Sequence, residues 1–235
     1  MCVIAICRDR VLTAQEVSAA SAGNPDGIGI AWFAKDCIVY RKGISEDHLN
    51  KLLDRGLPLP LVIHFRFATS GAITPEMCHP YACSPTVLSG SGRTRKKLLF
   101  HNGMIPSWEA IMMGMMPEII RRYKRVPDGE WNDSRVAALA VGMYGDQVLQ
   151  FLDGKYAIMS SDGTVETYGS FREKDGVLLS APLTYIVPGK YNGVASAGQK
   201  LLFPGYDYDY DDKQAPLYEG GSIYDSLAAD TERGV

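Results

Sequence analysis

The sequence lacks several features that would place it in a specialised class of protein. It has no run of about eighteen apolar residues, the length that a membrane-spanning helix needs. Neither sign of charge dominates, because 24 Lys and Arg residues stand against 27 Asp and Glu residues. Proteins that bind nucleic acid usually carry a clustered surplus of positive charge. We therefore expect neither a membrane protein nor a nucleic-acid-binding protein.

The chain also has few cysteines, and they are not arranged in pairs. There are five of them, and the CxxC pairs that are typical of zinc sites are missing, although Cys78 and Cys83 lie close to His79. An odd number of scattered cysteines indicates a reducing compartment, and the first residues lack the basic region and long apolar stretch of a signal peptide. The sequence predicts a cytoplasmic protein with free thiols, no metal and no cofactor.

The 235 residues, of which 46% are hydrophobic, are enough for one large domain or two small ones. We expect one domain over residues 1–203. Residues 204–235 begin with alternating tyrosines and aspartates and are poor in aliphatic side chains, which predicts a loosely ordered acidic tail. A docking segment for a partner protein is the alternative interpretation of this tail.

The order of predicted elements indicates the fold class. Short apolar runs rich in β-branched residues predict strands at 3–7, 28–33, 38–40, 61–67, 98–101, 157–160, 165–168 and 177–180. Helices are predicted at 13–22, at 46–53, at 107–125 with a break at Pro117, and at 133–144. Strands, then helices, then strands without βαβ alternation predict an α+β fold, in which antiparallel sheets carry helices on their outer faces.

Cys2 is the first residue with a chemical interpretation. Removal of Met1, which is expected when a small residue follows, would put an α-amino group and a thiol on the same residue. An α-amine has a pKa of about 7.7 to 8.0, so it could take the proton of the thiol near neutral pH. Taken alone, Cys2 is better interpreted as a small buried residue of the first strand.

Two other segments carry polar groups at predicted strand ends. Asn102 and Gly103 follow a strand and offer an amide and a backbone N–H, which suit an oxyanion hole, although Asn-Gly is also a common turn. Arg66 follows another apolar strand, where it could bind a carboxylate of a ligand or form an internal salt bridge. Taken alone, the Asn102-Gly103 segment favours a turn, and the Arg66 segment does not decide between a ligand and an internal salt bridge.

The ordered set of motifs resembles a known enzyme family. The motifs are Met1-Cys2, Asn24-Pro25-Asp26-Gly27-Ile28-Gly29, His64-Phe65-Arg66-Phe67-Ala68-Thr69, Cys78-His79-Pro80, Phe100-His101-Asn102-Gly103 and Asn132-Asp133-Ser134. In this order they resemble the glutamine amidotransferases of the N-terminal nucleophile (Ntn) type, also called class II. The resemblance extends over about residues 1–180.

The resemblance implies a fold, a reaction and a site. The fold would be the four-layer αββα sandwich of Ntn hydrolases. The reaction would be glutamine hydrolysis through a glutamyl thioester on Cys2, and the released ammonia would pass to a separate acceptor synthase. Asn102 and Gly103 would stabilise the oxyanion. Arg66 would bind the α-carboxylate of glutamine, and Asp133 its α-amine. Phe67 and Thr69 would line the substrate pocket.

Two alternatives stay open at this point. Phe67 and Ser70 stand where many relatives carry Trp and His, which leaves room for another γ-glutamyl amide or small amide as the substrate. A non-catalytic binding module on the same fold is the other alternative, and the joint presence of Cys2, Arg66 and Asp133 speaks against it.

Overall fold

The computed structural model describes residues 2–69 and 71–183. Met1 and Ser70 lie outside the described residues, and so do the predicted tail at 204–235 and the predicted domain boundary at 203.

Two antiparallel sheets form the centre of the described structure. The strands are β1 (Val3–Cys7), β2 (Ile28–Ala34), β3 (Cys37–Ile44), β4 (Leu61–Phe65), β5 (Tyr81–Ala82), β6 (Ser91–Thr94), β7 (Leu98–Asn102), β8 (Lys155–Met159), β9 (Val165–Tyr168), β10 (Arg172–Lys174) and β11 (Val177–Leu179). One sheet has the order β10-β11-β1-β4-β2-β3-β6, and the other has the order β5-β7-β8-β9. The two most buried strands of the larger sheet, β1 and β4, are neighbours at its centre.

Four α-helices flank the sheets. They are α1 (Ala14–Gly23), α2 (Glu46–Asp54), α3 (Trp108–Tyr123) and α4 (Asp133–Tyr144), and short 3₁₀ helices cover Pro75–Met77 and Asp146–Phe151. Each of α1, α2 and α4 begins at a side chain that accepts a backbone N–H of the first turn: Thr13, Ser45 and Asn132. These caps explain why the helices start where the sequence predicts.

The alternation of side chains along β1 shows how the layers stack. Val3 and Ala5 pack against α1 and α2, whereas Ile4 and Ile6 point to the other side and pack against the smaller sheet. On the outer face of the smaller sheet, α4 buries its alanines, and α3 packs against α4. The predicted α+β fold, a four-layer αββα sandwich of two antiparallel sheets, is confirmed.

The structure differs from the sequence prediction in α3. The predicted break at Pro117 is wrong, because α3 continues through this residue. Pro117 lies on the exposed face of the helix, where water can satisfy the carbonyl that loses its N–H partner. The sequence also gave no sign of β5, β6 and β10, which are two to four residues long and too short to show a periodic pattern.

Gly29 on β2 is a position where only glycine fits. A Cβ built there would lie 1.8 Å from the carbonyl oxygen of His79. We expect Gly29→Ala to lower the free energy of unfolding by about 3 kcal/mol or more, because backbone must move to relieve the overlap. Urea unfolding measures the loss.

Gly114→Ala is the matched control, since nothing lies within 4 Å of its Cβ, and the added methyl should be neutral or stabilise α3 by about 0.5 to 1 kcal/mol. Equal stability of the two variants would contradict the close packing of β2 on His79.

Candidate functional site

The pairing of β1 with β4 brings Cys2 beside the segment that follows Phe65. Val3 pairs with Phe65 in this antiparallel register, so Cys2, just before β1, faces the residues just after β4. The backbone N–H of Phe67 donates to Cys2 Sγ at 3.3 Å, and the thiol donates to the carbonyl of Phe67 at 3.4 Å. Two backbone contacts therefore hold the sulfur in position.

A small cavity of about 30 Å³ lies at this sulfur. Its lining residues are Cys2, Arg66, Phe67, Ala68, Thr69, Met77, His79, His101, Gly103, Asn132, Asp133 and Ser134. The cavity has room for about one water molecule. Six of the seven site residues predicted from the sequence line this cavity, although they come from four separate stretches of the chain.

The Asn24-Pro25-Asp26-Gly27 motif supports the cavity wall from behind. Asp26 Oδ2 accepts the backbone N–H of Ala68 at 2.7 Å, and the carbonyl of Gly27 accepts the N–H of Arg66 at 2.9 Å. Gly27 has a φ of +113°, and a Cβ there would lie 2.7 Å from Cys78 Sγ. The motif thus fixes the backbone that carries Arg66.

Asp133 brings a carboxylate to the cavity at the first residue of α4. Only 7% of it is exposed, and its oxygens accept the N–H groups of Ser134 at 2.7 Å and of Ile105 at 3.2 Å. The positive end of the helix dipole also favours a negative charge there. Arg66 is 4% exposed on the same cavity. The site therefore presents one buried cation and one buried anion.

Asn102 and Gly103 are placed differently from each other. Gly103 lines the cavity, and a Cβ on it would lie 2.8 Å from the Cα of Gly154. Asn102 is not among the lining residues, and its Nδ2 donates to Ser180 Oγ at 2.9 Å. That hydroxyl also accepts the N–H of Ile4 at 2.8 Å, so Asn102 is tied to β1. Its role in an oxyanion hole stays a prediction.

The environment of Cys2 disfavours the thiolate. Burial raises the pKa of the Cys2 thiol, while the N–H of Phe67 and the positive charge of Arg66 lower it. Burial is the largest of these effects, so the thiol is protonated at rest. Nucleophilic attack by this sulfur would need a base that removes the proton.

Three buried histidines form a group beside the cavity that sequence reasoning did not identify as a unit. His64 Nε2 lies 3.0 Å from the carbonyl oxygen of His101, and the rings of His64 and His79 are 3.8 Å apart. His101 Nδ1 lies 3.0 Å from Ser134 Oγ. Burial lowers the pKa of His64 to about 3 and holds the pKa of His79 well below its ordinary value. In the sequence, His64, His79 and His101 each belong to a different one of the family motifs, and this feature could have pointed to the group.

Within residues 2–69 and 71–183, no group of three or more His, Cys, Asp or Glu side chains could hold a metal ion. No helix among these residues combines the length and apolar character required to cross a bilayer.

The histidine group predicts a specific pH dependence of stability. In the unfolded chain His64 binds a proton below a pH of about 6.5, but in the folded protein it does so only near pH 3, so stability falls as the pH drops between these values. Between about pH 7 and pH 5, His64 alone should account for a loss of roughly 2 kcal/mol. Between these two pH values, the His64→Gln variant should therefore lose about 2 kcal/mol less stability than the unsubstituted protein, as measured by urea unfolding.

His48→Gln is the control, because His48 lies on α2 outside the group. It should leave the pH-dependent loss unchanged. A His64→Gln protein with the same loss as the unsubstituted chain would contradict a buried, neutral His64.

Comparison with known proteins gives structural neighbours only. No protein-family model and no curated protein matches the sequence. Among solved structures, the chain is similar to an allosteric regulatory enzyme of purine biosynthesis, with a TM-score of 0.44 and 17% identity over 71% of this chain and 35% of that one.

A second similar structure is glutamine phosphoribosylpyrophosphate amidotransferase from B. subtilis, complexed with ADP and GMP. Its TM-score is 0.44, with 16% identity over 77% of this chain and 42% of that one. The chain thus spans about two fifths or less of the length of these neighbours. The second is, by its name, an amidotransferase.

Proposed function

We propose that this protein is an amidohydrolase of the glutamine amidotransferase type, in which Cys2 becomes the N-terminal residue and attacks the side-chain amide of glutamine. The observation that carries this proposal is the shared cavity of Cys2, Arg66 and Asp133. A nucleophile, a cation and an anion within one small buried space match a zwitterionic amino acid with a reactive side chain.

The base would be the α-amine that removal of Met1 leaves on Cys2. Its ordinary pKa of about 7.7 to 8.0 provides a neutral fraction near neutral pH. Burial opposes ionisation of the thiol, but the Phe67 N–H and Arg66 offset part of that cost. The amine, directly or through one water, takes the proton as the sulfur attacks.

The reaction would proceed through two acyl-transfer steps. Cys2 Sγ bonds to the amide carbon of glutamine, and the C–N bond breaks as the α-amine returns its proton to the departing nitrogen. Ammonia leaves, and a glutamyl thioester remains on the sulfur. Water then attacks the thioester carbon, its proton passes through the amine to the sulfur, and glutamate is released with the thiol restored.

Gly103 and Asn102 would stabilise the negative oxygen of each tetrahedral intermediate. The Gly103 backbone lines the cavity, and Asn102 is its neighbour. The side-chain amide of Asn102 could rotate so that its oxygen and nitrogen exchange places. Ser180 would then donate to Oδ1, and both N–H groups of Nδ2 would become available for the oxyanion. A donor of this kind typically lowers the barrier by a few kcal/mol.

The head group of glutamine would bind between Arg66 and Asp133. A bidentate pair with the α-carboxylate suits the guanidinium, and the α-ammonium suits the carboxylate of Asp133. Thr69 and Phe67 would complete the wall.

The fate of ammonia and the identity of the amide remain separate parts of the proposal. Delivery of ammonia to a separate synthase follows from the resemblance of the motifs. Another γ-glutamyl amide is the second candidate substrate. Phe67, which is 8% exposed, lines the cavity at a position where many relatives carry Trp, so the wall that would contact the substrate has a different shape. Ammonia release from glutamine and aniline release from a γ-glutamyl anilide, measured side by side, separate the two.

Replacement of the nucleophile tests the reaction directly. Cys2→Ala should remove ammonia release from glutamine by at least about a thousandfold, because no thioester can form. A glutaminase assay measures this, and circular dichroism checks that the fold is kept. Intact-mass measurement of the unsubstituted protein should show the loss of Met1. Undiminished turnover by Cys2→Ala, or full turnover by a chain that retains Met1, would contradict the mechanism.

Replacement of the cation tests the head-group assignment. Arg66→Gln should raise KM for glutamine by about tenfold to a hundredfold with a smaller change in kcat, because a charged hydrogen bond contributes about 1.5 to 3 kcal/mol. Arg66→Lys should recover part of the affinity, since it keeps the charge but loses the fork. Arg55→Gln on the exposed end of α2 is the matched control and should leave KM unchanged. An unaltered KM for Arg66→Gln would refute this role of Arg66.

A further inference from the structure

A second, larger cavity lies next to the Cys2 cavity. Its volume is about 250 Å³, and Met77 lines both cavities. The other lining residues are Lys42, Thr74, Glu76, Tyr81, Ala82, Thr86, Val87, Leu88, Gly129, Glu130 and Arg135. None of the groups proposed for amide hydrolysis lines it, so its chemistry needs its own explanation.

Lys42 is one of two buried cations in this second cavity. It lies on β3 and is only 2% exposed. Its Nζ donates to the carbonyl of Glu76 at 2.9 Å and lies 4.9 Å from the centre of the Tyr81 ring. An ammonium group has three N–H donors, so two remain for a further acceptor.

Arg135 on α4 is the other buried cation, with 8% exposed. Its guanidinium packs 4.2 Å over the Trp131 ring and donates to the carbonyls of Glu130, at 2.7 Å, and of Asp128. Two of its five N–H donors are used in this way, which leaves three. Both cations thus have carbonyl partners but spare donors.

The carboxylates near the second cavity form no ion pair with these cations, although Glu76 acts on Lys42 and Asp128 acts on Arg135 at longer range. Glu76 and Glu130 line its wall, yet neither forms an ion pair with Lys42 or Arg135, and no other carboxylate of residues 2–69 and 71–183 does so. Glu130 is exposed and accepts the N–H of Ala72 at 3.2 Å. The buried end of the cavity is therefore positive.

We propose that the second cavity binds a small molecule that carries a carboxylate or phosphate group, held between Lys42 and Arg135. Two buried cations without an anion are costly, and a bound anion would offset that cost through charge-assisted hydrogen bonds. The apolar side chains of Ala82, Val87 and Leu88 would contact the carbon skeleton of the ligand. This site does not depend on the reaction at Cys2, although a ligand in it would contact Met77 and could alter the neighbouring cavity.

Equilibrium dialysis with radiolabelled phosphate and radiolabelled succinate tests the site in the full chain. We expect saturable binding of at least one of them, displaced by the unlabelled anion but not by neutral succinamide, which has the same shape as succinate without its charge. Phosphate binding alone would assign a phosphate ligand, and succinate binding alone a carboxylate ligand. Absence of saturable binding of both anions would overturn the proposal.

Substitutions locate the binding. Lys42→Met and Arg135→Gln should each weaken the affinity by about tenfold or more, since each removes a charged donor. Lys51→Gln removes one positive charge from an exposed position on α2 and is the matched control, with unchanged affinity expected. The assignment to this cavity would be overturned if all three variants bound the anion as tightly as the unsubstituted protein. It would also be overturned if Lys51→Gln weakened binding as much as the other two substitutions.

Labelling of the unsubstituted protein covers the case in which the variants fail to fold. Burial lowers the pKa of Lys42 to about 8, so a larger fraction of its amine is neutral near neutral pH than in an exposed lysine. Saturating anion should slow its acetylation several-fold, as measured by peptide mass spectrometry, while Lys51 reacts at an unchanged rate. The same extent of Lys42 labelling with and without anion would overturn the proposal. Loss of glutaminase activity in Cys2→Ala leaves all of these outcomes untouched.

Discussion

The antiparallel pairing of β1 with β4 is the constraint on which the site depends. Both strands are buried along their whole length, and five residue pairs run from Val3 with Phe65 to Cys7 with Leu61. A shift by one residue would turn every core side chain to the wrong face of the sheet, so the hydrophobic core holds the register. This register places Cys2 against the backbone of Phe67 and brings Arg66 into the same cavity.

Close packing at three glycines gives the site its second support. Gly29 of β2 touches the carbonyl of His79, Gly27 leaves room for Cys78, and Gly103 packs against Gly154. These contacts join the larger sheet to the segment after β4 and join β7 to the loop before β8. The sandwich of two sheets therefore does more than bury apolar surface. It brings Gly103, which follows β7 of the smaller sheet, to the same cavity as Cys2, which precedes β1 of the larger sheet.

Burial has two opposite consequences for the polar groups beside Cys2. It makes each charge costly, which raises the pKa of the thiol and keeps His64 and His79 neutral. It also makes each remaining charge effective, because little water competes for it. Asp133 is stabilised by backbone N–H groups, whereas Lys42 and Arg135 keep spare donors in the second cavity. The same physics that disfavours an unassisted thiolate at Cys2 favours an anion at those two cations.

The sequence by itself determined the α+β class, most strand positions, the capped starts of three helices and the set of polar residues near Cys2, because these follow from periodicity, capping side chains and short motifs. It could not show that Asn102 points to Ser180, that three histidines form one group, or that Lys42 and Arg135 share a cavity. Those facts depend on which side chains meet after the sheets stack, over separations of tens of residues, and no local pattern encodes them. Pro117 shows the same limit, since its tolerance within α3 depended on exposure, which only tertiary packing decides.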